Sequence, residues 1–77
     1  MNHQDRILAI IRRVANRDVS PSPDESLFDS GIIDSFSLED MVSELEREFS
    51  IRIPDSEARP QKFESIERIE QYIASRV

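Results

Sequence analysis

The chain has 77 residues, a formal net charge of −6 and no cysteine. That length holds one domain with one modest core. Without cysteine there is no disulfide framework, no cysteine zinc site and no thiol nucleophile. The single histidine, His3, falls near the chain start and is expected to be solvent-exposed and inert. The longest apolar run, Ile7 to Ile11, is far too short to span a membrane. No basic segment leads into an apolar one as in a secretory signal, so a cytoplasmic, monomeric protein is expected.

The placement of charge says more than its sum. Residues 1–17 carry one acid, Asp5, against Arg6, Arg12, Arg13 and Arg17, a net of +3. Residues 24–57 carry eleven acids against Arg47 and Arg52, a net of −9. Residues 58–77 carry four bases against three acids. A strongly negative centre disfavours nucleic acid and anionic membranes as partners and favours basic protein surfaces.

The spacing of Ile7, Ile10, Ile11 and Val14 predicts a helix over about residues 3–16. Asn2 with Asp5 suits a capping arrangement, and Arg12, Arg13 and Arg17 suit the negative end of the helix dipole. A basic amphipathic helix can lie on a membrane, but one of this length reads first as a wall of a helical core. Residues 17–34 lack periodicity, and Pro21 and Pro23 break any helix there. So long a loop in so small a domain implies a function or packing of its own. Leu27, Phe28, Ile32 and Ile33 are expected to pin it. Gly31, the only glycine, marks a backbone position of special torsion.

A second helix is predicted over about 36–49, with Leu38, Met41, Val42, Leu45 and Phe49 as its apolar stripe. At 100° per residue Asp40, Ser43, Glu44 and Arg47 fall on the far side, with Glu39, Glu46 and Glu48 on the flanks. Phe36 also falls opposite the stripe, either folded back as a staple or offered to a partner. Residues 50–54 read as a short extended connector, since Pro54 drives Ile53 out of helical torsion. A short helical turn is expected within 55–63. Ser65 then caps a last helix over about 65–76, with Ile66, Ile69, Tyr72, Ile73 and Val77 on one face. The expected fold is all-α: an antiparallel bundle of three main helices and one short one, with a long loop between the first and second.

The informative site is the junction of that loop with the acidic helix. Ser35 follows Asp34 at a helix N-terminus, where free N–H groups and the dipole favour a phosphate. No base accompanies the serine, so modification rather than catalysis is indicated. The competing structural reading makes Asp34-Ser35 simply a helix cap. A calcium loop fails on spacing: counted from Asp29, positions 3 and 5 are Gly31 and Ile33.

Residues 26–77 resemble a bacterial acyl carrier protein of the phosphopantetheine-binding superfamily. The resemblance rests on Leu27-Phe28-Asp29-Ser30-Gly31-Ile32-Ile33-Asp34-Ser35-Phe36, Leu45-Glu46-Arg47-Glu48-Phe49, Ile51-Arg52-Ile53-Pro54, and Phe63-Glu64-Ser65-Ile66 leading to Tyr72-Ile73. It implies a non-enzymatic carrier with 4′-phosphopantetheine on Ser35, supported by Asp34. It also implies a docking face on the acidic helix, comprising Phe36, Glu39, Asp40, Glu44, Arg47 and Glu48. The implied partners are a phosphopantetheinyl transferase with coenzyme A, an acyl- or aminoacyl-loading ligase, and acyltransferases or synthases with basic patches. The expected cargo is an acyl group, as in fatty acid or polyketide biosynthesis, with D-alanine or another amino acid as the alternative. Three departures from fatty-acid carriers stand out. Gly31 lies four residues before the serine instead of three, Phe36 replaces the usual leucine, and Ser50 stands where relatives often place glycine. The first two, with Phe63-Glu64-Ser65, are closer to D-alanyl and specialised stand-alone carriers. A non-carrier helical interaction module is the alternative from another class.

Overall fold

The computed structural model describes residues 3–77. They form α1 (His3–Ala15), α2 (Ser35–Phe49), a 3₁₀ turn (Pro60–Lys62) and α3 (Ile66–Ala74), with no strand among the described residues. The architecture is the small all-α bundle that the periodicity predicts. α2 starts one residue earlier than expected, and α3 is shorter at both ends. The expected cap from Asn2 involves a residue outside the described ones.

The three apolar stripes meet in one core. Ile7, Ile10 and Ile11 of α1, Met41 and Leu45 of α2, and Ile69 and Ile73 of α3 are all essentially inaccessible. α1 packs against both α2 and α3. It runs antiparallel to α2, because Arg6 pairs with Glu48 at 2.9 Å while Arg13 pairs with Glu44 at 2.6 Å. Phe63, fully buried, meets the Tyr72 ring edge-on at 5.1 Å and closes the core beneath α3.

Both helices that precede loops end the same way. Asn16 (φ 55) and Ser50 (φ 53) adopt the left-handed conformation. The next N–H then reaches back to the last turn, Arg17 to the Arg12 carbonyl and Ile51 to the Glu46 carbonyl, each at 3.2 Å. This is the Schellman arrangement, which satisfies carbonyls that the helix leaves unpaired. Ser65 caps α3 as expected, its hydroxyl accepting from the Arg68 N–H at 3.2 Å.

The long loop is anchored, not free. Leu27 and Ile33 are buried, and Phe28 and Ile32 pack against the core from its edge. The Leu27 N–H donates to the Glu64 carbonyl at 2.7 Å, and the first turn of α3 returns the tie from Glu67 N–H to the Pro23 carbonyl at 2.9 Å. Arg12 holds the loop's start through the Val19 carbonyl at 2.7 Å and the Ser20 hydroxyl at 3.0 Å. Gly31 takes φ +79 within a turn closed by its N–H to the Phe28 carbonyl, as its isolation in the sequence implied.

Two expectations are corrected. His3 is half-buried in α1, its ring edge-on to Phe49 at 5.3 Å, because α1 runs its first turn across the end of α2. Val77 lies beyond the end of α3 and is 65% exposed, so it is not part of that helix's inner face.

Candidate functional site

The loop's buried residues fix where α2 begins. Ile33 is buried and hydrogen-bonded to the Leu27 carbonyl, which places Asp34 at the N-cap in extended conformation (φ −123, ψ −175). One oxygen of Asp34, Oδ1, accepts from the N–H groups of Phe36 at 3.0 Å and Ser37 at 2.8 Å. Bonds from the Ser37 backbone and hydroxyl, with that from Phe36, hold this exposed carboxyl below the usual range. Capping is therefore the work of Asp34. Ser35 is the first residue of the helix itself, exposed, with no hydrogen bond on its hydroxyl among the described residues. The purely structural reading, in which Ser35 is spent as a cap, does not describe this geometry.

The cap also revises one expectation. The Phe36 and Ser37 N–H groups are already bonded to Asp34, so they do not await a phosphate. A phosphodiester on Ser35 would keep the helix dipole but sit beside the Asp34 carboxylate. An exposed hydroxyl at a helix start, anchored on a rigid loop and reachable from solvent, meets what covalent attachment of a long arm demands. It fits the 4′-phosphopantetheine group in that sense, by access and not by a preformed phosphate cradle.

α2 sorts the other candidate residues onto three faces. Phe36, Asp40, Ser43 and Arg47 line the outward ridge, with Phe36 83% exposed. The helical phase anticipated that exposure, and Phe36 does not fold back as a staple. Glu44 and Glu48 face α1, where Arg13 and Arg6 hold them. Glu44 and Glu48, expected on the docking face, are thus each engaged by an arginine of α1. Arg6 also lies over the Phe49 ring at 4.3 Å. Sequence periodicity could not show these pairs, because it does not say which face of α1 meets α2. Glu39 and Glu46 occupy the flank below Ser35. Glu46 accepts from the Ile53 N–H at 2.8 Å, while Glu39 and Asp40 have no side-chain bond or ion pair among the described residues.

That flank borders an open cleft of ≈ 450 Å³ between α2 and residues 53–58. Its floor is Leu38, Val42 and Ile53, and its rim carries Glu39, Glu46 and Asp55. Residues 35, 38, 39, 42 and 46 follow helical spacing, so Ser35 heads the stripe that forms one wall. No group of acids or histidines suited to a metal occurs among the described residues. No described helix is long and apolar enough to cross a membrane.

Residues 5–73 match the family model for the phosphopantetheine attachment site. The chain belongs to the phosphopantetheine-binding carrier family. Members carry 4′-phosphopantetheine covalently and are carriers, not catalysts. The chain is 40% identical over 57 residues to a D-alanyl carrier protein of Streptococcus sanguinis (strain SK36), covering 74% of this chain and 72% of that protein. It is 42% identical over 57 residues to one of Streptococcus suis (strain 05ZYH33), with the same coverage. It is 32% identical over 71 residues to one of Streptococcus pyogenes serotype M5 (strain Manfredo), covering 92% of this chain and 90% of that protein.

Proposed function

We propose that this carrier holds an activated amino acid, D-alanine, as a thioester on a 4′-phosphopantetheine arm attached to Ser35. The observation that carries the attachment is the division of labour at the helix start. Asp34 takes the capping bonds, and the Ser35 hydroxyl is left exposed and unbonded. The cargo reading is supported by the similarity to D-alanyl carrier proteins, which favours the amino acid over the acyl group expected from the sequence. The cleft below Ser35 is consistent with it. A rim of three carboxylates is a poor surface for a long apolar acyl tail and tolerates a small ammonium-bearing cargo.

In attachment, the Ser35 oxygen forms a phosphodiester bond and the pyrophosphate bond of coenzyme A breaks. Adenosine 3′,5′-bisphosphate leaves, and the hydroxyl proton passes to a base of the phosphopantetheinyl transferase. The arm supplies the thiol that this cysteine-free chain lacks. A ligase then loads the amino acid, and the acidic α2 gives fast, salt-sensitive docking in the cytoplasm.

Intact mass after incubation with a phosphopantetheinyl transferase and coenzyme A tests the attachment. Wild type should gain one phosphopantetheine, and Ser35→Ala none while remaining helical. Arm transfer to the alanine variant would refute the site. A D-alanine-activating ligase with ATP should then add one D-alanine, removable by hydroxylamine. Loading of a fatty acyl group in its place would refute the cargo.

A further inference from the structure

A second groove, of ≈ 240 Å³, runs between the 3₁₀ turn and α3. Gln61 and Lys62 of the turn and Arg68 and Gln71 of the helix line it, all exposed, with the buried Tyr72 beneath them. Its charge is the reverse of the cleft below Ser35, for no acid lines it. The chain has sixteen acids for ten bases, more than enough to pair every cation. Arg6, Arg12, Arg13 and Arg76 are paired. Lys62 and Arg68 have no ion pair and no side-chain hydrogen bond among the described residues, and the Gln61 and Gln71 amides have no hydrogen bond there either. The acids of the surrounding segment are engaged elsewhere or lie outside the groove. Arg76 and Tyr72 hold Glu57, while Glu64 and Glu70 accept from Ser26 and Gln4. Glu67 is exposed but lines no wall of the groove.

We propose that this groove docks a short acidic peptide segment of a partner protein. The two cations complement two carboxylates, and each glutamine amide offers both a donor and an acceptor, as a peptide backbone requires. The net charge of −6 repels an anionic membrane or a broadly acidic surface. Only a segment whose carboxylates reach Lys62 and Arg68 gains enough to stay, so the field of the whole chain sharpens the choice. Ser35 and the outward residues of α2 line no part of the groove. A partner held there leaves the attachment serine open, and the inference does not depend on what Ser35 carries.

Amide NMR titration of the full chain tests this, with a capped peptide of three glutamates alternating with serines as the probe. Saturable shifts should centre on the Gln61 and Gln71 side-chain amides and on the Lys62 and Arg68 backbone. The same peptide with glutamine for glutamate should leave them unmoved. Lys62→Gln and Arg68→Gln should each weaken binding about two- to fivefold, the scale of one exposed ion pair. Both positions are exposed, so melting curves should stay near wild type. Ser35→Ala should bind the peptide like wild type, which keeps this result separate from that of arm attachment. No shifts, equal shifts with the glutamine peptide, or shifts centred on Arg12, Arg13 and Arg17 of α1 would overturn the proposal. So would the same shifts with inorganic phosphate at equal concentration, which would mark a small-anion site. Retention on phosphatidylglycerol vesicles that is lost in the Lys62→Gln, Arg68→Gln double variant would also overturn it, in favour of a membrane contact.

Discussion

At the scale of single residues, neighbours at the start of α2 divide tasks that their side chains make separable. Asp34 binds two N–H groups and is held in its charged form by them. A carboxyl whose folded pKa is lowered stabilises the fold above its unfolded value of 3.8, and that help disappears as pH falls through the lower, folded value. Asp34→Ala should therefore melt at a lower temperature than wild type near neutral pH. The gap should close in strong acid, which thermal melts across that range would reveal. Phe36 is the opposite case, a large apolar side chain that contributes almost nothing inward. Phe36→Ala should change stability by about 0.5 kcal/mol or less, against the ~3–5 kcal/mol of a core phenylalanine such as Phe63. Equilibrium denaturation of the two variants side by side decides it. The exposure of Phe36 was legible in the sequence because it follows from helical phase alone. The capping bonds of Asp34 were not, since sequence does not say which of two adjacent polar residues turns inward to the N–H groups.

At the scale of elements, helix ends and helix contacts explain what the sequence revealed and what it hid. Apolar periodicity located all three helices, because each buries one continuous stripe. The loop's anchor residues were legible too, being apolar in an otherwise polar stretch. The α1–α2 ion pairs were not, because they depend on how two helices are rotated against each other. Ser50 illustrates a local rule with a measurable consequence. It holds φ 53 at the end of α2, a conformation that costs a residue with a β-carbon about 1 kcal/mol and glycine nothing. The added freedom of glycine in the unfolded chain offsets part of that gain. Ser50→Gly should thus stabilise the domain by about 0.5 kcal/mol, raising Tm by roughly 2–4 °C. Gly31→Ala should do the reverse. Nothing lies within 4 Å of the added methyl, so its cost of about 1–2 kcal/mol would come from the φ of +79 alone. Thermal melts of both variants check the pair.

At the scale of the whole molecule, the chain's far segment is closed by a polar latch that complements the apolar core. The Tyr72 hydroxyl donates to Glu57 at 2.7 Å, Arg76 bonds the same carboxylate oxygen, and the Arg76 guanidinium lies over the Tyr72 ring at 4.9 Å. These contacts tie the segment between Pro54 and the 3₁₀ turn, which forms the outer wall of the cleft, to the end of α3. The two bonds to Glu57 join residues 15 and 19 positions apart, beyond the reach of periodicity, and so were not legible in the sequence. Burial, and then the bond to Glu57, push the Tyr72 hydroxyl from 10.0 up to about 12. A group whose folded pKa is raised contributes stability that is complete below its unfolded value. That contribution is lost as pH climbs through the folded value. Wild type should therefore lose stability between about pH 10 and 12 as the phenol ionises beside Glu57. The informative comparison is with Tyr72→Phe. That variant keeps the ring against Phe63 and removes only the hydroxyl. It should be less stable than wild type at pH 8, and its melting temperature should fall less steeply above pH 10, so the two curves converge. Parallel curves would mean that the hydroxyl does not couple ionisation to folding, and that the outer wall of the cleft is held by apolar packing alone.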